Sequence, residues 1–232
     1  MTLLLSSIAP ALFIMYLIYR HDLEKEPRKM LLKAFLGGIL SVLITFILIF
    51  ILSIFTGEMP SAEVQPFYAA FFSAAIPEEF AKWIVFYWLI QRAKDFDQYF
   101  DGILYAIFIS MGFALLENIL YVMDGGMGVA INRAIFAVPG HMLFAVPMGY
   151  YLSLSKFESG KDASYHRILS LVVPIFMHGT YDFILMYASA MGRFNPTLAV
   201  LLIPVFIIFN IWMWRAGLSR IKKHREKDRT IA

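Results

Sequence analysis

The stretch PFYAAFFSAAIPEEFAKWIVFYWLIQR, residues 66–92, decides the fold. About 20 apolar residues in helical form cross a hydrocarbon core of about 30 Å, and this stretch is long enough to do so. Near its middle stand Glu78, Glu79 and Lys82. Each charge at the centre of a bilayer costs about 2.5 to 3.5 kcal/mol on insertion scales, so the three must meet one another, other polar groups or water.

Similar apolar runs recur to both sides, near 2 to 19, 30 to 56, 102 to 123, 134 to 155, 168 to 190 and 197 to 217. The pattern predicts an all-α protein, a polytopic transmembrane helical bundle of about seven spans. Composition agrees: 60% of the 232 residues are apolar and 16% are charged, against about 25% charged in a soluble domain. The reading is one transmembrane domain over residues 1–217 and a basic cytoplasmic tail over 218–232. The chain has no cysteine, which excludes disulfides, thiolate metal sites and a cysteine nucleophile.

Orientation follows from Lys and Arg. The first span has no basic residue ahead of it and Arg20, Lys25, Arg28 and Lys29 behind it, so it is expected to be retained with its N-terminus outside. Arg92 and Lys94 follow span three, Lys156, Lys161 and Arg167 follow span five, and the tail carries seven more, whereas Arg133 and Arg193 stand alone on the opposite side. The positive-inside rule gives N-out and C-in. The tail is read as an orientation signal, and no nucleic-acid partner is expected.

Other polar residues sit inside the spans. Span four, GILYAIFISMGFALLENILYVM, carries Glu117 and Asn118 toward its outer end; span five carries His141; span six carries His178 and Asp182 in PIFMHGTYDF. Glu78 and Lys82 are four apart, Glu79 and Lys82 three apart, and His178 and Asp182 four apart, so each set shares a helix face. Adjacent Glu78 and Glu79 point about 100° apart, so one carboxylate is expected to neutralise Lys82 while the other faces a cavity. Pro77, Pro139 and Pro174 each lie within a turn before Glu78, His141 or His178. Each removes an internal hydrogen bond, which a membrane helix tolerates where protein or water re-satisfies the freed carbonyl. Intramembrane ionisable groups are functional by default, and this set suits either hydrolysis or proton relay in a transporter.

Three motifs carry a resemblance. Pro77-Glu78-Glu79-Phe80-Ala81-Lys82 matches EExxK, Phe113 to Asn118 matches FxxxEN, and His178 to Asp182 matches HxxxD. In that order, on successive spans, they resemble the PrsW intramembrane proteases, a branch of the superfamily that includes the CAAX prenyl endopeptidases and the abortive-infection proteins. The segment Asp22 to Pro27 is similar too. A CAAX-type endopeptidase would show EExxxR and FxxxH, whereas Trp83 and Glu117 stand at the diagnostic positions. The resemblance implies a protease of the bacterial cytoplasmic membrane that makes the first cut in a single-pass anti-sigma factor on its extracytoplasmic side, under envelope stress. It also implies a divalent metal, zinc being the natural candidate. Glu78 would activate water, with Glu79, Glu117 and His178 as further catalytic residues, Lys82 and Asn118 in support, and His141, His178, Asp182 and Glu117 as metal ligands. Neither HExxH nor another compact zinc signature is present, so the metal comes from the resemblance alone.

Rhomboid-like chemistry is disfavoured because Ser110 sits in Ile109-Ser110-Met111-Gly112, and aspartyl chemistry because no GxGD follows Tyr181-Asp182. A retinal-type receptor would need a lysine in the last span, which has none. The candidate catalytic residues fall between the midplane and the outer ends of their spans. Cleavage is therefore expected near the substrate's outer membrane boundary, where a helix end frays most easily.

Overall fold

The computed structural model describes residues 1–56 and 64–231, and these are helical almost throughout. In chain order the elements are α1 (Thr2–His21), α2 (Arg28–Thr56), α3 (Gln65–Tyr68), a π-helical segment (Ala69–Ala75), α4 (Ile76–Leu89), α5 (Tyr99–Asn132), a second π-helical segment (Arg133–Ala137), α6 (Val138–Phe157), α7 (Gly160–Phe194) and α8 (Pro196–Ile231). Among the described residues, five uninterrupted helical runs are long and apolar enough to cross a membrane, and one of them, Tyr99–Phe157, is long enough to cross twice.

That run reverses at Gly126, whose φ of 73° and ψ of −162° break the helix. Only glycine adopts this conformation without strain. Contacts confirm the reversal: Gly102 lies against Gly149, Ser110 Oγ donates to the His141 carbonyl at 2.9 Å, and Arg133 Nε donates to Asn118 at 2.8 Å. These pairs form an antiparallel register about the Gly125-Gly126 turn. The stretch 65–89 supplies the remaining crossing in pieces, α3, π segment and α4. The described residues therefore make the seven spans expected from the apolar runs.

Both π segments are consequences of proline. Pro77 and Pro139 have no N–H to donate, and their rings would collide with the carbonyl four residues back. Immediately before each proline the backbone widens by one residue, with Ile76 N–H bonded to the Phe71 carbonyl and Val138 N–H to the Arg133 carbonyl. Insertions of this kind concentrate at functional sites. Here the two stand just ahead of Glu78-Glu79 and of His141.

The first half of α5 is the axis of the bundle. Every residue from Phe100 to Ala114 is buried, so this segment has no polar face at all. It admits its neighbours through small residues. A methyl group added at Gly38 would lie 1.9 Å from the Ile109 carbonyl oxygen, and one at Gly112 would lie 2.1 Å from that of Phe35, so α2 and α5 meet backbone to backbone. By contrast α2 and α8 present rows of exposed Leu, Ile, Val and Phe, among them Leu43, Phe46, Phe50, Val200, Ile203 and Ile208, as lipid-facing helices must.

Basic side chains finish the end of the bundle that the positive-inside rule assigns to the cytoplasm. Lys33 Nζ donates to the Leu89 carbonyl at the end of α4 at 3.1 Å, and Lys156 Nζ to those of Gln91 and Ala93 in the loop that follows at 3.1 and 3.0 Å. Helix α8 continues without a break through Gly217 into the basic tail, where His224 and Asp228 are buried against the bundle. Ala232, at the end of that tail, lies outside the described residues.

Candidate active site

The residues singled out by spacing come from four helices and meet. Glu78, Glu79 and Lys82 project from the first turns of α4, Glu117 and Asn118 from α5, His141 from α6, and His178 and Asp182 from α7. Pro77 and its π segment stand directly ahead of Glu78 and Glu79 in a continuous helical backbone.

Glu79 is the anchor. Fully buried, its Oε1 receives Lys82 Nζ at 2.8 Å and His178 Nδ1 at 2.9 Å. Its Oε2 is buried with no hydrogen-bond partner. Glu78 is held more loosely: its single ion-pair contact is with Lys82 at 3.5 Å, and part of its side chain remains accessible. Both glutamates thus contact the lysine, Glu79 closely and Glu78 at longer range with 11% of its side chain accessible. Lys82 itself is 1% exposed, sits 4.1 Å above the centre of the Phe113 ring, and lies 3.3 Å from His141 Nδ1.

Each histidine is gripped from behind. His141 turns Nδ1 toward Lys82 and Nε2 toward Glu117 Oε2 at 2.9 Å; His178 turns Nδ1 toward Glu79 and Nε2 toward Asp182 Oδ2 at 3.2 Å. A carboxylate on the far nitrogen fixes the orientation and tautomer of an imidazole and raises its basicity. The Phe144 ring stacks on His178 at 4.6 Å and 13°, and the two imidazoles stand 5.6 Å apart.

The donor set suits a divalent ion. Carboxylate and imidazole are the ligands zinc and its neighbours take. One ligand atom each from Glu78, Glu79 and His141 lie within 4.8 Å of one another and Glu79 Oε2 is unpartnered, while Lys82 Nζ contacts the same three side chains at 3.5, 2.8 and 3.3 Å, so an ion there would share its ligands with the ammonium. His178, Asp182 and Glu117 fall outside that triple. They instead complete the two carboxylate-to-histidine pairs.

One member was not singled out from the sequence. Arg133, counted there as a basic residue of an outer loop, donates through Nη2 to Glu117 at 2.5 Å and through Nε to Asn118 at 2.8 Å, while Asn118 Nδ2 reaches back to the Ser7 carbonyl at 2.7 Å. The signal available was its place immediately before the span near 134 to 155 rather than in open loop. Arg133 and Asp182 also border a groove of about 530 Å³, whose other walls include Phe136, Tyr181, Leu185 and Phe206. Apolar walls with a charged end are the character of a ligand cleft.

Comparison with known proteins places this arrangement. The model of a family described as PrsW family intramembrane metalloprotease matches residues 26–211. The chain is 37% identical to Protease PrsW of Oceanobacillus iheyensis over 227 residues, 97% of each chain. It is 34% identical to Protease PrsW of Geobacillus kaustophilus, covering 96% of this chain and 92% of the relative, and 34% identical to that of Bacillus subtilis, covering 95% and 94%. No solved structure matches.

Proposed function

We propose, from the premise that this chain belongs to the PrsW family of intramembrane metalloproteases and is itself a membrane-embedded protease, that it makes the first cut in a single-pass membrane anti-sigma factor near its extracytoplasmic boundary. The observation that carries this reading is the open carboxylate of Glu78 beside two imidazoles that are each backed by a carboxylate. The membrane is taken to be the bacterial cytoplasmic membrane, with the active end facing out.

Glu78 is the group we assign to water activation, because it has accessible surface and only a long contact to Lys82. Glu79, Lys82 and His178 form the fixed frame that holds it in place. Both ring nitrogens of His141 and of His178 are already engaged, so Glu78, once it has taken a proton from water, is the group we assign to pass that proton to the leaving amine. Arg133 positions Glu117 and, at the groove, offers a donor to a substrate carbonyl. A divalent ion held by Glu78, Glu79 and His141 would supply Lewis acidity and a water of lowered pKa.

The apolar groove beside Arg133 and Asp182 gives an extended substrate segment a way in from the lipid. A peptide bond in the outer juxtamembrane segment is already frayed, whereas one at the centre of a helix must first unwind. The test is a cleavage assay in proteoliposomes with a single-pass anti-sigma factor, wild type beside Glu78→Gln, the products read by mass spectrometry. Cleavage by wild type alone, within a few residues of the outer boundary, is the expected result. A cut at the cytoplasmic side, or full activity of Glu78→Gln, overturns the assignment.

A further inference from the structure

A second buried polar cluster lies at the cytoplasmic end, far along α5 from Glu117. It draws Glu26 from the turn between α1 and α2, Asp97 from the loop after α4, and Asp101 from the first turn of α5. One carboxylate oxygen from each lies within 4.8 Å of the others. Asp22, buried in the same turn as Glu26, accepts the Glu26 N–H through Oδ2 at 3.2 Å.

The cluster is built rather than incidental. Asp101 is fully buried; its Oδ2 accepts the N–H groups of Asp97 and Gln98 at 3.1 and 2.7 Å, which folds the loop around it. Its Oδ1 is buried with no hydrogen-bond partner, and so is Asp22 Oδ1. The hydroxyl of buried Tyr105 donates to Glu26. No ion pair reaches any of these carboxylates among the described residues: the nearest lysines are spent elsewhere, Lys156 on the carbonyls of Gln91 and Ala93, and Lys25 on those of Tyr19 and Asp22. Carboxylates gathered in this way, with orphaned oxygens and no cationic side chain, are what a hard ion is held by.

We propose that Glu26, Asp97 and Asp101 bind a hard divalent cation of the Mg²⁺ type, which latches the 22–27 turn and the 91–98 loop to the cytoplasmic end of α5. All-oxygen coordination selects Mg²⁺ or Ca²⁺ over zinc, and the exposed Asp97 leaves an entry for the ion with its remaining waters. The site is separate from the proteolytic centre and does not depend on the reading of that centre.

The experiment uses the full chain in detergent with Tb³⁺ as the probe, its luminescence sensitised by Tyr105 and competed by Mg²⁺ and Ca²⁺. Wild type and His141→Ala should both show a competable signal, and Asp101→Asn and Glu26→Gln should lose it. Mg²⁺ should also raise the thermal midpoint of wild type and leave that of Asp101→Asn unmoved. Asparagine at 101 keeps an acceptor for the loop N–H groups, so the variant retains the local fold. Should it nevertheless fail to fold, competition in wild type against His141→Ala decides alone. Competition by Ca²⁺ with no response to Mg²⁺ changes the ion and overturns the Mg²⁺ assignment. A signal that is absent from wild type, indifferent to both ions, or abolished by His141→Ala overturns the site.

Discussion

The molecule buries two polar clusters at opposite ends of α5, and they are built on opposite principles. At the outer end Glu78, Glu79, Glu117 and Asp182 are interleaved with Lys82, Arg133, His141 and His178, and every carboxylate has a cationic or imidazole partner within 3.5 Å. At the other end, the one expected to face the cytoplasm, Glu26, Asp97 and Asp101 stand together with a tyrosine hydroxyl and backbone N–H groups. A balanced cluster can exist deep in a low-dielectric interior because each charge removed from water is repaid by its neighbour. An acid-only cluster is tolerable near the aqueous boundary, where an ion from solution can complete it. Depth thus selects the kind of cluster, and the chemistry each can perform follows.

The sharpest way to break the contrast is Glu78→Gln. If the outer cluster is a catalyst whose frame is Glu79 and Lys82, this change should cost about 10³-fold in cleavage, within the range of a lost general base, and leave the thermal midpoint almost unmoved. Loss of folding together with activity would mean that Glu78 belongs to the frame. Next comes the frame itself. Lys82→Ala strips both glutamates of their counter-ion inside the bundle and should destabilise the protein by about 3 to 5 kcal/mol, measured by thermal or denaturant unfolding in detergent. The corresponding change at the other end should have the opposite sign: Glu26→Gln removes one of several like charges and should stabilise the ion-free protein by about 1 kcal/mol. Destabilisation by Glu26→Gln in the presence of chelator would show that the two ends are not the contrast drawn here.

Within the outer cluster, Asp182→Asn tests whether a backing carboxylate only orients its histidine. The substitution keeps an acceptor of similar shape but removes the charge on His178 Nε2, and should lower kcat by about 10 to 100-fold with KM little changed. A loss as large as that of Glu78→Gln would place Asp182 among the reacting groups. Full activity would mean that His178 is held by Glu79 and Phe144 alone.

The same contrast explains how far the sequence could be read. Spans were legible because about 20 apolar residues in a row have few other uses, and the outer cluster because charges in such runs must be paired. Glu78, Glu79, Lys82, Glu117, Asn118, His141, His178 and Asp182 stood out against Phe and Ala neighbours, and they do converge. The cytoplasmic cluster had no such background. Asp22, Glu26, Asp97 and Asp101 sit among Lys, Arg and Gln in or beside short connections, where a charge is ordinarily solvated, and the burial of Asp22, Glu26 and Asp101 arises from the way two loops fold over the end of α5. Only the likeness of Asp22 to Pro27 to the family pattern marked that region. Helix interruptions were legible as prolines but not as π turns, because the choice between a kink and a widened turn depends on the packing around Phe71 and Arg133.

An effect on stability alone is expected at the seam between the tail and the cytoplasmic cluster. Asp228, on the last turns of α8, accepts the N–H of Tyr99 through Oδ1 and that of Phe100 through Oδ2, both at 2.8 Å. These are among the first N–H groups of α5, which have no acceptor within their own helix, so a residue 129 positions away in sequence acts as the helix cap. The carboxylate also meets the positive end of the helix dipole. Asp228→Ala should therefore cost about 1 to 2 kcal/mol, the range for a lost N-cap, and lower the thermal midpoint accordingly. Cleavage should be unaffected, because the whole buried length of α5 separates Phe100 from Glu117. An unchanged midpoint would mean that water caps α5 as well as the tail does. A loss of cleavage at unchanged stability would instead show that the two ends of α5 are coupled, and that the cytoplasmic cluster regulates the outer one.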